Sequence, residues 1–174
     1  MTLVVFLRGV NVGGHRTFKP SEFARELARH KAVNFGAAGT FIVFGKVDAK
    51  SLREEILRRL PFKPEVMIHP GRALLDLVES RPFDDFSAMK DVKPCVSVLA
   101  KAGKTGPALP LEKPAGTEWQ VRIFRVEGPF VLSLRRRRGK TLVYPNEVVE
   151  RSFGLPATTR DWNTITALGR ALIE

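Results

Sequence analysis

The residues best placed for chemistry in this chain are those that could hold an anion. The stretch LRGVNVGG, residues 7–14, follows a short apolar run and precedes a helical segment. A glycine-bearing loop between a strand and a helix can point backbone N–H groups at an anion, and glycine permits positive φ and close approach of a ligand. Arg8, Asn11, His15, Arg16 and Lys19 surround that loop with donors. The spacing is not a Walker A loop, since no Gly-Lys-Ser/Thr follows, and it is not G-x-G-x-x-G. The plainer alternative is that these glycines only turn the chain.

A second stretch, ATTRDWNTI (157–165), is read as the start of the final helix. Thr159 or Asp161 would cap that helix. Arg160 and Asn163 would lie where free amides and the helix dipole already favour an anion. Trp162 falls on the apolar stripe of the helix and reads as core. A third stretch, LRRRRGKT (134–141), sets four arginines beside a glycine. Strand alternation would send them to both faces, so the run marks a solvated strand end or loop, and it is the best local candidate for phosphate contact.

Other chemistries find less support. There is no nucleophile elbow, no His-x-Glu zinc signature and no carboxylate pair spaced for acid–base work. His15, His30 and His69 lie far apart without metal-ligand spacing, and no metal or cofactor is implied. The single cysteine, Cys95, precludes an intrachain disulfide or a cysteine zinc cluster and reads as a small buried hydrophobe.

The elements that must position these residues follow from periodicity. LVVFL (3–7) is a buried strand, FKPSEFARELARH (18–30) a helix with Phe23, Ala24, Leu27 and Ala28 on one face, and TFIVF (40–44) a strand, with a weaker one at 33–36. SLREEILRRL (51–60) opens on a capping box from Ser51 to Glu54 and stops at Pro61. EVMI (65–68) is a strand and RALLDLVES (72–80) a helix. Strand, helix, two strands, helix, strand is the ferredoxin-like order, fitting residues 1–69. The aperiodic segment 80–94 places a domain boundary near residue 90, giving halves 1–90 and 91–174. In the second half, CVSVL (95–99) is a strand, followed by the Gly/Pro-rich connection KAGKTGPALPLEKPAGT. A hairpin follows from EWQVRIFRV (118–126) and FVLSL (130–134), then a helix over 146–152 and a last one from about 161 to 173. The fold class is α+β.

The chain's 174 residues suffice for a buried core, and its net charge is +11. The excess is spread evenly, with 15 basic against 10 acidic groups in residues 1–90 and 14 against 8 in residues 91–174. Such a surface attracts anionic ligands and polyanions, nucleic acid included. No run approaches the roughly 20 apolar residues that span a bilayer, so no membrane partner is expected. The N-terminus lacks a signal peptide's features, and a cytoplasmic location is the default expectation.

LRGVNVGG near the start, GLPATTRDWNTI near the end and VYPNEVVERSFG between them closely resemble the bacterial family catalogued as domain of unknown function 1697. The resemblance covers essentially the whole chain. It implies two ferredoxin-like (α/β-plait) halves and no stated activity. By position, its signature residues here are Arg8, Gly9, Asn11, Gly13, Gly14, Thr159, Arg160, Trp162, Asn163 and Thr164. Two departures stand out: AGT (38–40) replaces the family's Ser-Gly-Asn, and Asp161 replaces an asparagine.

The ferredoxin-like order also invites comparison with RNA-recognition domains, which stack bases on aromatics of the two central strands. Phe6 and Phe41 would be those aromatics, with Phe41 on the stacking face. Gly39 and Ala37, however, occupy the other motif positions, so burial of both phenylalanines is the favoured reading. The leading expectation is a binding protein for a small anionic or phosphate-bearing ligand, held by Arg8, Asn11, Gly13, Gly14, Thr159, Arg160 and Asn163 between the 8–16 loop and the 158–164 helix start. The alternatives are an enzyme on a phosphorylated metabolite at the same place, with His15 as acid or base, and a non-specific nucleic-acid binder.

Overall fold

The computed structural model describes residues 1–103 and 105–174; Lys104, in the expected Gly/Pro-rich connection, lies outside the described residues. The chain divides into two compact units, one of residues 1–79 with 167–174 and one of residues 80–166. The division falls at Ser80, where the sequence alone places it near 90. Phe83 and Phe86 explain the shift, because they pack on Phe124 of the second unit with ring centroids 5.5 and 4.7 Å apart.

The first unit runs β1 (Leu3–Leu7), α1 (Pro20–Glu26), β2 (Ala32–Asn34), β3 (Thr40–Val43), α2 (Ala49–Arg59), β4 (Val66–Pro70) and α3 (Gly71–Glu79). Its sheet is antiparallel in the order β2-β3-β1-β4. Continuous β-branched and aromatic runs suit strands that are buried throughout, and all five residues of β1 are buried. Leu3, Val5, Leu7, Phe41 and Val43 form one core with Phe23 and Leu27 from the α1 segment and with Leu52 and Ile56 of α2.

Two expectations are corrected here, and a third, the burial of Phe6 and Phe41, holds. The helix expected over 18–30 ends at Glu26, and a 3-10 turn over Ala28–His30 closes on Lys31 at φ +51°. The tighter turn leaves Ala28 exposed while Phe23, Ala24 and Leu27 are buried. The expected Ser51 cap is replaced by Asp48, whose carboxylate accepts from the Ser51 backbone N–H at 2.9 Å and from its hydroxyl at 2.6 Å. These bonds hold the Asp48 carboxyl below its ordinary range, and they place Ser51 inside the helix. Phe6 and Phe41 do not share a face. Phe6 stands opposite Thr40 and Phe41 opposite Val5, so the two rings point to opposite sides of the sheet. Both are fully buried, and no base can stack on them.

The second unit runs β5 (Lys93–Leu99), β6 (Leu111–Lys113), β7 (Val121–Glu127), β8 (Phe130–Arg135), α4 (Pro145–Phe153) and β9 (Ala157–Asp161), followed by α5 (Trp162–Ile173), whose residues from 167 onward belong to the first unit. The antiparallel sheet has the order β6-β7-β8-β5-β9. Leaving out the short edge strand β6, the order β7-β8-β5-β9 repeats that of the first sheet: second, third, first, fourth. Leu99, Val121, Ile123, Val131 and Ala157 pack beneath Val148 and Val149 of α4. Residues 157–161 are thus an edge strand, where a helix start was expected. The β-branched pair Thr158-Thr159 favours this, and pairing with β5 satisfies its backbone. Among the described residues no helix is long and apolar enough to cross a membrane.

One polar cluster is built into the first core. Glu55 of α2 is 3% exposed, accepts hydrogen bonds from His30 Nε2 at 2.7 Å and Arg59 Nε at 2.9 Å, and pairs with Arg29. Burial pushes its carboxyl up, but the bonds from His30, Arg29 and Arg59 together outweigh it and hold the group down at about 2, against an ordinary 4.5. A carboxyl whose pKa is depressed on folding stabilises the fold above its unfolded pKa. Stability therefore stays level above about pH 4.5 and falls progressively from there toward pH 2. Glu55→Gln is expected to lower unfolding free energy at pH 7 by about 1–3 kcal/mol and to flatten the acid limb. Urea titrations at several pH values check both.

Candidate anion-binding site

The glycine loop resolves into a small hairpin. The Asn11 N–H donates to the Arg16 carbonyl at 3.2 Å and the His15 N–H to the Val12 carbonyl at 3.0 Å. Gly13 and Gly14, at φ +57° and +75°, are the two corner residues of this turn. Two successive positive φ values define the mirror-image turn that suits a two-residue hairpin, which is why glycines stand there. Arg8 bonds Glu65 twice, backbone N–H to carbonyl at 3.0 Å and guanidinium to carboxylate at 3.2 Å. The Asn11 carboxamide donates to the Ala37 carbonyl at 2.8 Å and accepts from the Phe18 N–H at 2.9 Å. Beside it the Leu7 N–H donates to the Gly39 carbonyl at 2.8 Å. Gly39 sits at φ +70°, and a Cβ there would lie 2.8 Å from Val10 and 2.9 Å from Leu7. Arg8, Asn11 and Gly39 thus lace three loops together at one end of the first sheet. His15 is exposed at the hairpin.

The expected partners in the second unit occupy β9 and the first turn of α5. The Thr159 hydroxyl bonds that of Ser97 at 2.7 Å. Arg160 is 7% exposed and donates to the Thr158 hydroxyl at 2.7 Å and the Thr159 carbonyl at 2.9 Å. Burial lowers its pKa to about 10. Trp162 packs on Phe83, as its place on the apolar stripe predicts. Asn163 is exposed and lines a cavity of about 190 Å³ with Lys93, Pro94 and Asp161. Cys95 is buried, and that burial pushes its thiol up to about 12. Of the seven expected ligand residues, Arg8, Asn11, Gly13 and Gly14 belong to the first unit and Thr159, Arg160 and Asn163 to the second.

A larger cavity of about 410 Å³ lies within the second unit, lined by Asp91, Lys93, Gln120, Arg135, Arg136, Arg137, Leu142, Val143 and Tyr144. The register explains its charge. Lys93 opens β5 and Arg135 closes β8, and they stand directly opposite each other in the ladder. Both project to the face covered by α4, since they share the parity of Leu99 and Val131. Like charges directly opposite on one face are destabilising. β8 ends at Arg135, so the arginine run marks a strand end, as expected, and Arg135, Arg136 and Arg137 line one cavity.

The cations fall into two groups. Arg136 is held in place. Its guanidinium stacks 3.9 Å from the centroid of the Trp119 ring, its Nε donates to the Trp119 carbonyl at 2.7 Å, and it also bonds the Thr117 carbonyl. Arg122 stacks on the same ring at 4.2 Å and pairs with Glu112. Asp91 accepts from Arg138 at 2.7 Å and lies 3.9 Å from Arg136. Lys93, Arg135 and Arg137, by contrast, have no carboxylate within ion-pair distance among the described residues. The opposite wall is fixed by Gln120, whose carboxamide donates to the Thr141 carbonyl at 2.7 Å and accepts from the Val143 N–H at 3.2 Å. Tyr144 is the N-cap of α4, with no side-chain cap.

Sequence reasoning reached the arginine run but missed Lys93, Gln120 and Tyr144. The signal that would have found Lys93 is the β5–β8 register, which joins residues some forty positions apart; Gln120 and Tyr144 lie outside both strands. No group of three or more His, Cys, Asp or Glu side chains that could hold a metal occurs among the described residues.

Two antiparallel sheets, of four and five strands, with helices packed on them, make this a mixed α/β protein. The family model described as protein of unknown function (DUF1697) matches residues 1–126, and the chain belongs to that family. Among solved structures it is similar to that of the conserved bacterial protein SP0830 from Streptococcus pneumoniae, with a TM-score of 0.61 at 12% identity over 97% of each chain. No curated protein matches the chain.

The lacing around Asn11 generates a direct test. Asn11→Ala removes two bonds and leaves the Phe18 N–H without its acceptor. The expected loss is about 1–2 kcal/mol in unfolding free energy without any ligand present, measured by urea denaturation.

Proposed function

We propose that this protein binds a small phosphate-bearing anion, and that the 410 Å³ cavity of the second unit receives it. The carrying observation is the Lys93–Arg135 pair: two like charges face each other across one ladder, beside Arg137, and none of the three has a carboxylate within ion-pair distance among the described residues, although Asp91 lines the same cavity. An anion between them would turn a repulsion into two charge-assisted hydrogen bonds. Arg136, held against Trp119, contributes a further cation whose position costs little to fix on binding. The volume falls in the range of small-molecule sites. The expected site at the 8–16 loop and the 158–164 segment asks the same chemistry of Arg8, Asn11, Thr159 and Arg160, which already bond within their own units, so the cavity is the better supported location.

We also propose that both units are ferredoxin-like. Support comes from the shared strand order and from the helix-strand sequence of the first unit. In the second, β6 and its flanking loops would stand in for the first helix.

Calorimetric titration with inorganic tripolyphosphate tests the binding reading. Arg135→Gln is expected to weaken binding about tenfold. The same change should stabilise the unliganded chain by about 0.2–1 kcal/mol, by relieving the repulsion with Lys93. Binding unchanged in Arg135→Gln and in Lys93→Gln would refute the location.

A further inference from the structure

The same cavity is lined by two unlike sets of side chains, and this carries the reading of its ligand further. Lys93, Arg135 and Arg137 are basic, with Asp91 also on the wall, whereas Leu142, Val143 and Tyr144 offer apolar surface. Leu142 and Tyr144 are each 46% exposed. Gln120 pins the backbone of 141–143 on both sides of Leu142, so this wall is built to a fixed position.

We propose that the ligand is a nucleoside phosphate, its phosphates between Lys93, Arg135 and Arg137 and its base stacked on Tyr144. This rests on the anion-binding reading above and adds the base to it. A phosphate alone would use only the basic set. A nucleotide uses both, because its base presents a flat π face that a tyrosine ring can meet. The cations converge on one cavity, as the clustered phosphates of a single nucleotide require. Single-stranded nucleic acid calls for charges spaced along a groove. Gln120 spends one N–H and one lone pair of its carboxamide on the 141–143 backbone, which fixes its orientation in the cavity wall.

The test compares ATP, GTP, tripolyphosphate and a mixed-sequence oligonucleotide on the full chain and on Tyr144→Ala, Tyr144→Phe and Arg135→Gln, by calorimetry at fixed salt. Circular dichroism confirms that each variant folds. The expected result is that ATP and GTP bind at least tenfold tighter than tripolyphosphate. Tyr144→Ala should lose about tenfold for the nucleotides and nothing for tripolyphosphate, while Tyr144→Phe binds like the parent. Equal affinity for ATP and tripolyphosphate, unaffected by Tyr144→Ala, would overturn the nucleotide assignment and leave the anion site standing. The oligonucleotide binding more tightly than either nucleotide would also overturn it. No binding of any of the four would overturn both readings together.

Discussion

The first strand of each unit is central in its sheet and buried along its length, and the placement of charge depends on that constraint. β1 is buried from Leu3 to Leu7, and β5 from Cys95 to Leu99. A strand with no exposed face cannot carry an unpaired charge except at its ends, since an isolated ion in the interior costs several kcal/mol. Arg8 therefore follows β1 directly, and Lys93 opens β5. The polar residues buried within the interior strands β5 and β8, Ser97 and Ser133, are small and neutral, whereas the buried Arg160 lies on the edge strand β9. Chemistry in this fold is a property of strand ends and of the loops that meet there.

The two ends are finished differently. At the end of the first sheet a set of bonds ties the loops together: Arg8 with Glu65, Asn11 with Ala37 and Phe18, Leu7 with Gly39. Such a network rigidifies loops and leaves little for a ligand to take. At the end of the second sheet the walls are equally well held, by Gln120 and by Arg136 on Trp119, but three cations between them have no ion-pair partner among the described residues. A rigid frame around unsatisfied charge is the arrangement expected where binding is to cost little reorganisation.

Much of this was legible in the sequence, and the misses have common causes. The apolar runs placed β1, β3, β5 and β8 closely, because a fully buried strand has only one compositional signature. The helices expected at 146–152 and from about 161 to 173 stand at 145–153 and 162–173. What failed was local competition and non-local register. Asp48 outcompeted Ser51 for the same cap, a choice decided by where the helix begins. Thr159 and Asp161 read as caps because residue type alone does not distinguish an N-cap from an edge strand. The separation of Phe6 from Phe41 and the meeting of Lys93 with Arg135 both depend on which residue faces which across a ladder, and a shift of one position would reverse either result.

Trp119 has one more consequence. Its indole carries two guanidinium groups, at 3.9 and 4.2 Å, and one of them forms part of the cavity wall. The chain has only one other tryptophan, Trp162, which sits against Phe83. Any anion drawn to Arg136 redistributes the charge resting on the indole of Trp119, and with it the energy of that ring's excited state. The molecule therefore carries its own optical gauge of the cavity, readable in near-ultraviolet emission without a label.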